Sequence, residues 1–136
     1  KMLAYNTLII GCPTWNIGEL QDDWDNAFLE LDEIDLMGKK IAIFGLGDQY
    51  GYPESFCDAI GILGRKFIAQ GAILVGYTPT DEYEFSYSAA VENGLFMGLA
   101  LDDEHDSEKT PERITNWIWQ LVDEFDLVRF LEPAIG

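Results

Sequence analysis

Lys40-Ile41-Ala42-Ile43-Phe44-Gly45-Leu46-Gly47-Asp48-Gln49-Tyr50-Gly51-Tyr52-Pro53 starts as a short apolar run and ends in a loop of glycines and aromatic residues. An uninterrupted apolar, β-branched run reads as a strand buried on both faces, which is the pattern of a parallel sheet. Pro53 can open a helix in which Phe56, Ile60, Leu63 and Phe67 recur at helical spacing, until Gln70-Gly71 ends it. Ala72-Ile73-Leu74-Val75-Gly76-Tyr77 then repeats the strand pattern. Upstream, Thr7-Leu8-Ile9-Ile10-Gly11 is a third such run, closed by Cys12-Pro13. Between it and Lys40, Leu20, Trp24, Phe28 and Leu31 fall at helical spacing in an acidic segment that Met37-Gly38-Lys39 closes. The order is β-α-β-α-β. Strands alternating with helices of this length imply a parallel sheet with right-handed crossovers, so the loops at the strands' carboxyl ends share one rim, where ligands bind.

Thr78 to Asn93 is less regular and rich in Tyr, Ser, Asp and Glu. Leu95-Phe96-Met97-Gly98-Leu99-Ala100-Leu101 reads as a further apolar strand, followed by the charged loop Asp102-Asp103-Glu104-His105-Asp106. Thr110 is a good N-cap with Pro111 at the first helical position, and Ile114, Trp117, Ile118, Leu121, Val122 and Phe125 mark an amphipathic final helix. No repeat, low-complexity linker or composition shift divides the chain, which reads as one domain over residues 1–127 with an apolar tail at 128–136.

The 136 residues carry 8 Lys+Arg against 25 Asp+Glu, a formal net charge of -17. Such a surface repels phosphate backbones and anionic lipid, and its natural complement is a basic partner. With 48% hydrophobic and 13% aromatic residues there is enough apolar surface for a core. No apolar run approaches the roughly 20 residues that span a bilayer. Cys12 and Cys57, without CxxC spacing, read as small buried apolar residues in a reducing compartment.

Two loops carry the chemistry. The first strand delivers Pro13-Thr14-Trp15-Asn16-Ile17-Gly18 to the rim and the second delivers Gly45 to Pro53. Each combines glycines, which let backbone amides approach a ligand, with an aromatic ring that is costly to expose. Taken singly, either loop reads as a core-edge aromatic beside a turn. Their pairing on consecutive strands favours a slot between flat side chains, sized for a planar heteroaromatic whose polar edge Asp48 and nearby amides could bind.

Ile10 to Gln21, Ile43 to Pro53 and Phe56-Cys57-Asp58-Ala59-Ile60 closely resemble flavodoxin, in particular the long-chain type of cyanobacteria and algae, over about Ala4 to Leu127. The resemblance implies a flavodoxin-like, doubly wound, three-layer α/β fold. It also implies an FMN site that includes Thr14, Trp15, Asn16, Gly18, Gly47, Asp48 and Tyr52, with the Trp15 loop on one face of the isoalloxazine and Tyr52 stacked on the other. The stretch from Tyr77 to Leu95 resembles the insertion that splits the family's last strand. The implied activity is low-potential one-electron transfer in photosynthesis, with photosystem I and ferredoxin-NADP reductase as basic partners, rather than enzymatic catalysis. Flanking apolar rings and surrounding acidic groups disfavour added negative charge on the cofactor and so make it a strong reductant. The implied location is the chloroplast stroma or the cyanobacterial cytoplasm, next to the thylakoid membrane.

The family's opening strand, Thr/Ser/Gly-rich phosphate loop, first helix and second strand have no match in the chain, which opens Lys1-Met2-Leu3. The expectation is therefore a sheet without its first two strands, leaving the strand around Leu8 as an apolar edge. Either residues before Lys1 complete the sheet, or a diverged, FMN-free subunit docks into a photosystem I assembly through that edge and through residues 128–136. A flavin-dependent quinone reductase of related fold is disfavoured by the loop pair. Asp102 to Asp106 lack the spacing of a calcium loop and read as a solvated acidic loop; His105, the only histidine, has no nucleophile to serve. No metal site is expected. Asp22, Asp23 and Asp25 suit a helical first turn. Of Trp24, Trp117 and Trp119, at least two are expected in the core or facing a partner.

Overall fold

The computed structural model describes residues 7–15, 19–20 and 35–125, with side chains described over 7–11 and 35–125. The central strand, Lys40–Leu46 (β3), pairs in parallel along its full length with Thr7–Trp15 (β1), from Thr7 opposite Lys40 to Pro13 opposite Leu46. A two-residue strand, Glu19–Leu20 (β2), folds back antiparallel on the end of β1. The other edge of β3 is shared by two short strands. Ile73–Val75 (β4) takes Lys40 to Ala42, and Leu99–Leu101 (β8) takes Phe44 to Leu46, both in parallel. With β1 filling one edge, β4 and β8 must lie end to end along the other.

Between them, residues 78–96 leave the main sheet and form one of their own: Thr78–Pro79 (β5), Val91–Glu92 (β6) and Leu95–Phe96 (β7), in the order β5-β7-β6. The expected split of the last strand is present. The expected continuous strand from Leu95 to Leu101 is not: Leu95 and Phe96 pair within the small sheet, and only Leu99 onward returns to β3. The break falls at Gly98, where a Cβ would collide with the carbonyl of Ile43. An apolar run cannot reveal that its two halves serve different sheets.

Side chains alternate across β3. Ile41 and Ile43 enter the larger core, packed on helix Asp58–Ala69 (α1) through Ile60, Leu63 and Phe67. Ala42 and Phe44 face the opposite side, against Trp117, Leu121 and Phe125 of helix Thr110–Glu124 (α2) and the residue that follows it. Helices on both faces of a parallel sheet give the expected three layers. Three expectations shift. Helix α1 begins at Asp58 rather than Pro53, because Gln49 to Cys57 are taken up by turns that end in a left-handed Cys57 (φ 53°). Ile9 is 47% exposed, because it shares a face with Ala42 where the apolar cluster under α2 stops at Ala42 and Phe44. Thr110 opens α2 but does not cap it; its hydroxyl donates to Asp103 (2.6 Å).

Leu20 lies in β2, not in a helix, whereas Trp24, Phe28 and Leu31, with Asp22, Asp23 and Asp25, fall outside the described residues, as does the tail at 128–136. Trp117 is buried and Trp119 exposed, and Cys57 sits in the core as expected. Among the described residues no helix is long and apolar enough to cross a membrane.

Candidate functional site

Because β1, β3 and β8 are parallel, their carboxyl ends lie together, with Pro13 beside Leu46 and Leu46 beside Leu101. The rim therefore assembles the backbone of Thr14 and Trp15, the loop from Gly47 to Pro53 and the loop from Asp102 to Asp106. The side chains of Thr14 and Trp15, and all of Asn16 and Gly18, lie outside the described residues. Gly47, Asp48 and Tyr52 are described.

The loop after β3 is shaped from within by Asp48. Its Oδ1 accepts the amides of Tyr50 (3.1 Å) and Gly51 (2.7 Å), and its carbonyl accepts the amide of Tyr52 (2.9 Å). This is an Asx turn, in which a short carboxylate stands in for a backbone acceptor. A Cβ at Gly51 would displace the Asp48 carboxylate that shapes the turn, and a Cβ at Gly47 would meet Cys57 Sγ at 2.7 Å. The amide of Gly51, followed by the His105 contact and the amide of Tyr50, holds the Asp48 carboxyl below the ordinary carboxylate range in spite of some burial. His105 Nε2 lies 2.8 Å from Asp48 Oδ1, and the Tyr50 ring meets the imidazole edge to face at 4.6 Å.

The turn leaves two aromatic rings turned outward, Tyr50 at 58% exposure and Tyr52 at 46%. Five of the six amides from Gly47 to Tyr52 are engaged within the protein, that of Gly47 by Leu101 and that of Gln49 by Asp102. Among the described residues the amide of Asp48 and the carbonyls of Gln49, Tyr50 and Gly51 find no partner. A half-exposed ring beside free amide and carbonyl groups fits the edge and face of a planar heteroaromatic ligand. Asp48 holds the turn together through Oδ1, a task the loop's sequence does not announce.

Three residues that sequence reasoning passed over complete the site. Gln49 is 1% exposed and Asp102 fully buried. Asp102 Oδ2 accepts the Gln49 amide (3.0 Å), while its Oδ1 accepts those of Glu104 (3.0 Å) and His105 (3.1 Å). Gln49 Nε2 donates to Asp106 Oδ2 (2.8 Å), and its Oε1 accepts the amide of Glu84 (2.7 Å). The charged loop is therefore solvated only in part: Asp102 is an interior anchor and Asp106 is partly enclosed. Burial raises the Asp106 carboxyl, but the Gln49 amide, Lys109 and Arg113 together hold it below its ordinary value. Donor atoms of Asp48, Asp102 and His105 lie within 4.8 Å of one another, with Asp102 accepting three amides and Asp48 touching His105 directly. The cluster is tied together by its own hydrogen bonds.

Comparison with known proteins agrees with this geometry. The flavodoxin family model matches residues 1–117. A flavodoxin of Nostoc sp. is 54% identical over 123 residues, 90% of this chain and 72% of that protein. Flavodoxin 2 of Escherichia coli is 45% identical over 125 residues, again 90% of this chain and 72% of the relative. Among solved structures, the Fusobacterium nucleatum flavodoxin bound to flavin mononucleotide superposes with a TM-score of 0.86 at 40% identity, covering 89% of this chain and 72% of that one. With the family model matching residues 1–117 and relatives up to 54% identical over 90% of its length, the chain belongs to the flavodoxin family.

Proposed function

We propose that this protein is an FMN-binding one-electron carrier of the photosynthetic type, passing electrons from photosystem I to ferredoxin-NADP reductase. The observation that carries the reading is the loop after β3. It turns Tyr52 and Tyr50 outward beside main-chain groups that find no partner among the described residues, and a relative of the same fold is bound to flavin mononucleotide. Tyr52 would cover one face of the isoalloxazine, Trp15 the other, and Thr14, Asn16, Gly18, Gly47 and Asp48 would line the remainder of the slot. FMN, when bound, supplies the electron-accepting chemistry; the protein binds it, orients it and keeps water from its faces. The net charge of -17 steers the carrier to basic surfaces, with association rates that fall as salt rises. Such a carrier works in the cyanobacterial cytoplasm or the chloroplast stroma.

Titration of FMN into the flavin-free protein tests the reading. Binding should quench flavin fluorescence, since Trp15 and Tyr52 pack on the ring, and give a yellow protein. A colourless protein that takes up no added FMN overturns it. A second reading, an FMN-free subunit docked in a photosystem I assembly, draws on the exposed Ile9 of β1 and would give that negative result. Its docking surfaces would be the β1 edge and residues 128–136.

A further inference from the structure

We propose that Gln49 is a positioning residue: it sets where the flavin-facing loop sits on the rim, and it latches that loop to the insertion between β4 and β8. The flavin part of this inference rests on the FMN reading above. The Asx turn of Asp48 fixes the loop's internal shape, but its placement relative to the rest of the rim needs contacts to other segments. Gln49 supplies three of them. Its backbone amide reaches Asp102, its side-chain amide nitrogen reaches Asp106, and its side-chain oxygen takes the Glu84 amide, at 3.0, 2.8 and 2.7 Å. The partners lie 53, 57 and 35 residues away in sequence. A second pair of bonds runs alongside: the Pro53 carbonyl accepts the amides of Ser86 (2.7 Å) and Tyr87 (3.0 Å). The tyrosines thus occupy a segment, 50–52, that is anchored to the insertion at both ends.

The chemistry at position 49 is narrowly specified. One neighbour is a carboxylate that needs a donor, Asp106, and the other is an N–H that needs an acceptor, Glu84. A primary amide is the side chain that offers both at once. An apolar replacement takes the acceptor from the Glu84 amide and leaves Asp106 to its longer contact with Arg113, and a carboxylate adds a third negative charge beside Asp102 and Asp106. The charged and titratable groups around the site are Asp48 on the same loop, Glu82, Tyr83 and Glu84 on the insertion, Asp102, His105, Asp106 and Lys109 after β8, and Arg113 of α2, whose Nη1 lies 3.4 Å from Asp106.

Gln49→Leu and Gln49→Glu test this in the full chain, with two readouts. Amide exchange of Tyr50, Gly51 and Glu84 is measured without flavin, and FMN affinity and redox potential are measured with it. Near neutral pH both variants should speed exchange at these amides and weaken FMN binding, each by about tenfold, the worth of one hydrogen bond to a charged group. On acidification Gln49→Glu should recover toward the parent protein, run in parallel, because a protonated carboxyl donates to Asp106 and accepts from Glu84. Gln49→Leu should not recover. Loss of global stability with unchanged exchange at Tyr50 and Gly51 overturns the proposal, as does FMN affinity and potential within twofold of the parent. If the parent binds no FMN, the functional reading fails by itself, and the exchange data alone decide whether Gln49 positions the loop.

Discussion

Replacing Gly98 by alanine probes the seam at which the chain returns from the insertion to the main sheet. Gly98 is not one of the positive-φ glycines, so alanine brings no left-handed backbone strain of its own. Its Cβ, however, would fall well inside 3.0 Å of the Ile43 carbonyl oxygen, closer than real Cβ atoms come, and 3.1 Å from Ile60 Cγ2. The obstacle is backbone in the central strand, so relief requires β8 to move off β3 by about 1 Å. The Gly47 to Leu101 hydrogen bond, 2.9 Å long, and the neighbouring ladder bonds of Leu99 would stretch beyond useful length. Two such bonds at about 1 kcal/mol each, plus about 1 kcal/mol of disturbed packing around Met97 and Leu99, give about 3 kcal/mol. With a urea slope of about 2 kcal/mol/M for a chain of this size, the unfolding midpoint should fall by about 1.5 M at unchanged slope. Gly94→Ala is the comparison: nothing lies within 4 Å of that position, but φ is +82°, so the expected loss is about 1 kcal/mol from backbone strain alone. A Gly98→Ala midpoint within about 0.3 M of the parent, or a larger loss for Gly94→Ala, would refute the reasoning.

Asp102→Ala strands the amides of Gln49, Glu104 and His105 and should cost about 2–4 kcal/mol in urea unfolding; Asp102→Asn, which keeps an acceptor, should cost less. Acid should weaken the rim in a defined direction. Asp48 and Asp106 both titrate below their ordinary range in the folded protein, so their contribution to stability is fully present above the unfolded value near 3.8 and is lost as pH falls through the folded values. Unfolding free energy followed from pH 6 to pH 2 should therefore drop below about pH 4. The Asp48→Asn and Asp106→Asn double variant should show a smaller acid drop, and an equal drop would mean these carboxylates are not its source.

The sheet and both helices described here were readable because each is specified by its own residues. Ile41 to Ile43, Ile73 to Val75, and the spacing of Ile60, Leu63 and Phe67 say apolar run or helical stripe wherever the rest of the chain lies. What failed depended on distant segments. Leu95 to Leu101 looks like one strand because hydrophobicity does not record which sheet an apolar residue joins. Pro53 looks like a helix start, yet its carbonyl is claimed by Ser86 and Tyr87. At the site, Tyr52 and Asp48 stood out through their glycine-rich setting, whereas Gln49 carries no local signal; its role arises only when Glu84, Asp102 and Asp106 arrive. His105, which has no nucleophile to serve, braces Asp48 and meets the Tyr50 ring edge to face. The acidic loop around Asp102 was read from charge alone, and charge does not show which carboxylate is turned inward.

The end-to-end arrangement of β4 and β8 also dictates an order of assembly. The β4 half of the edge closes on β3 through a single helical crossover, whereas Leu99 can reach Phe44 only after the excursion through residues 78–96 has returned. Contacts of greater sequence separation form later. The difference in separation predicts a refolding interval in which the β8 side of Phe44 to Leu46 is still open while Lys40 to Ala42 are already zipped. A half-finished edge of this kind recruits strands from other molecules. Aggregation that grows with protein concentration during renaturation, but not from the native state, is the kinetic mark of that interval.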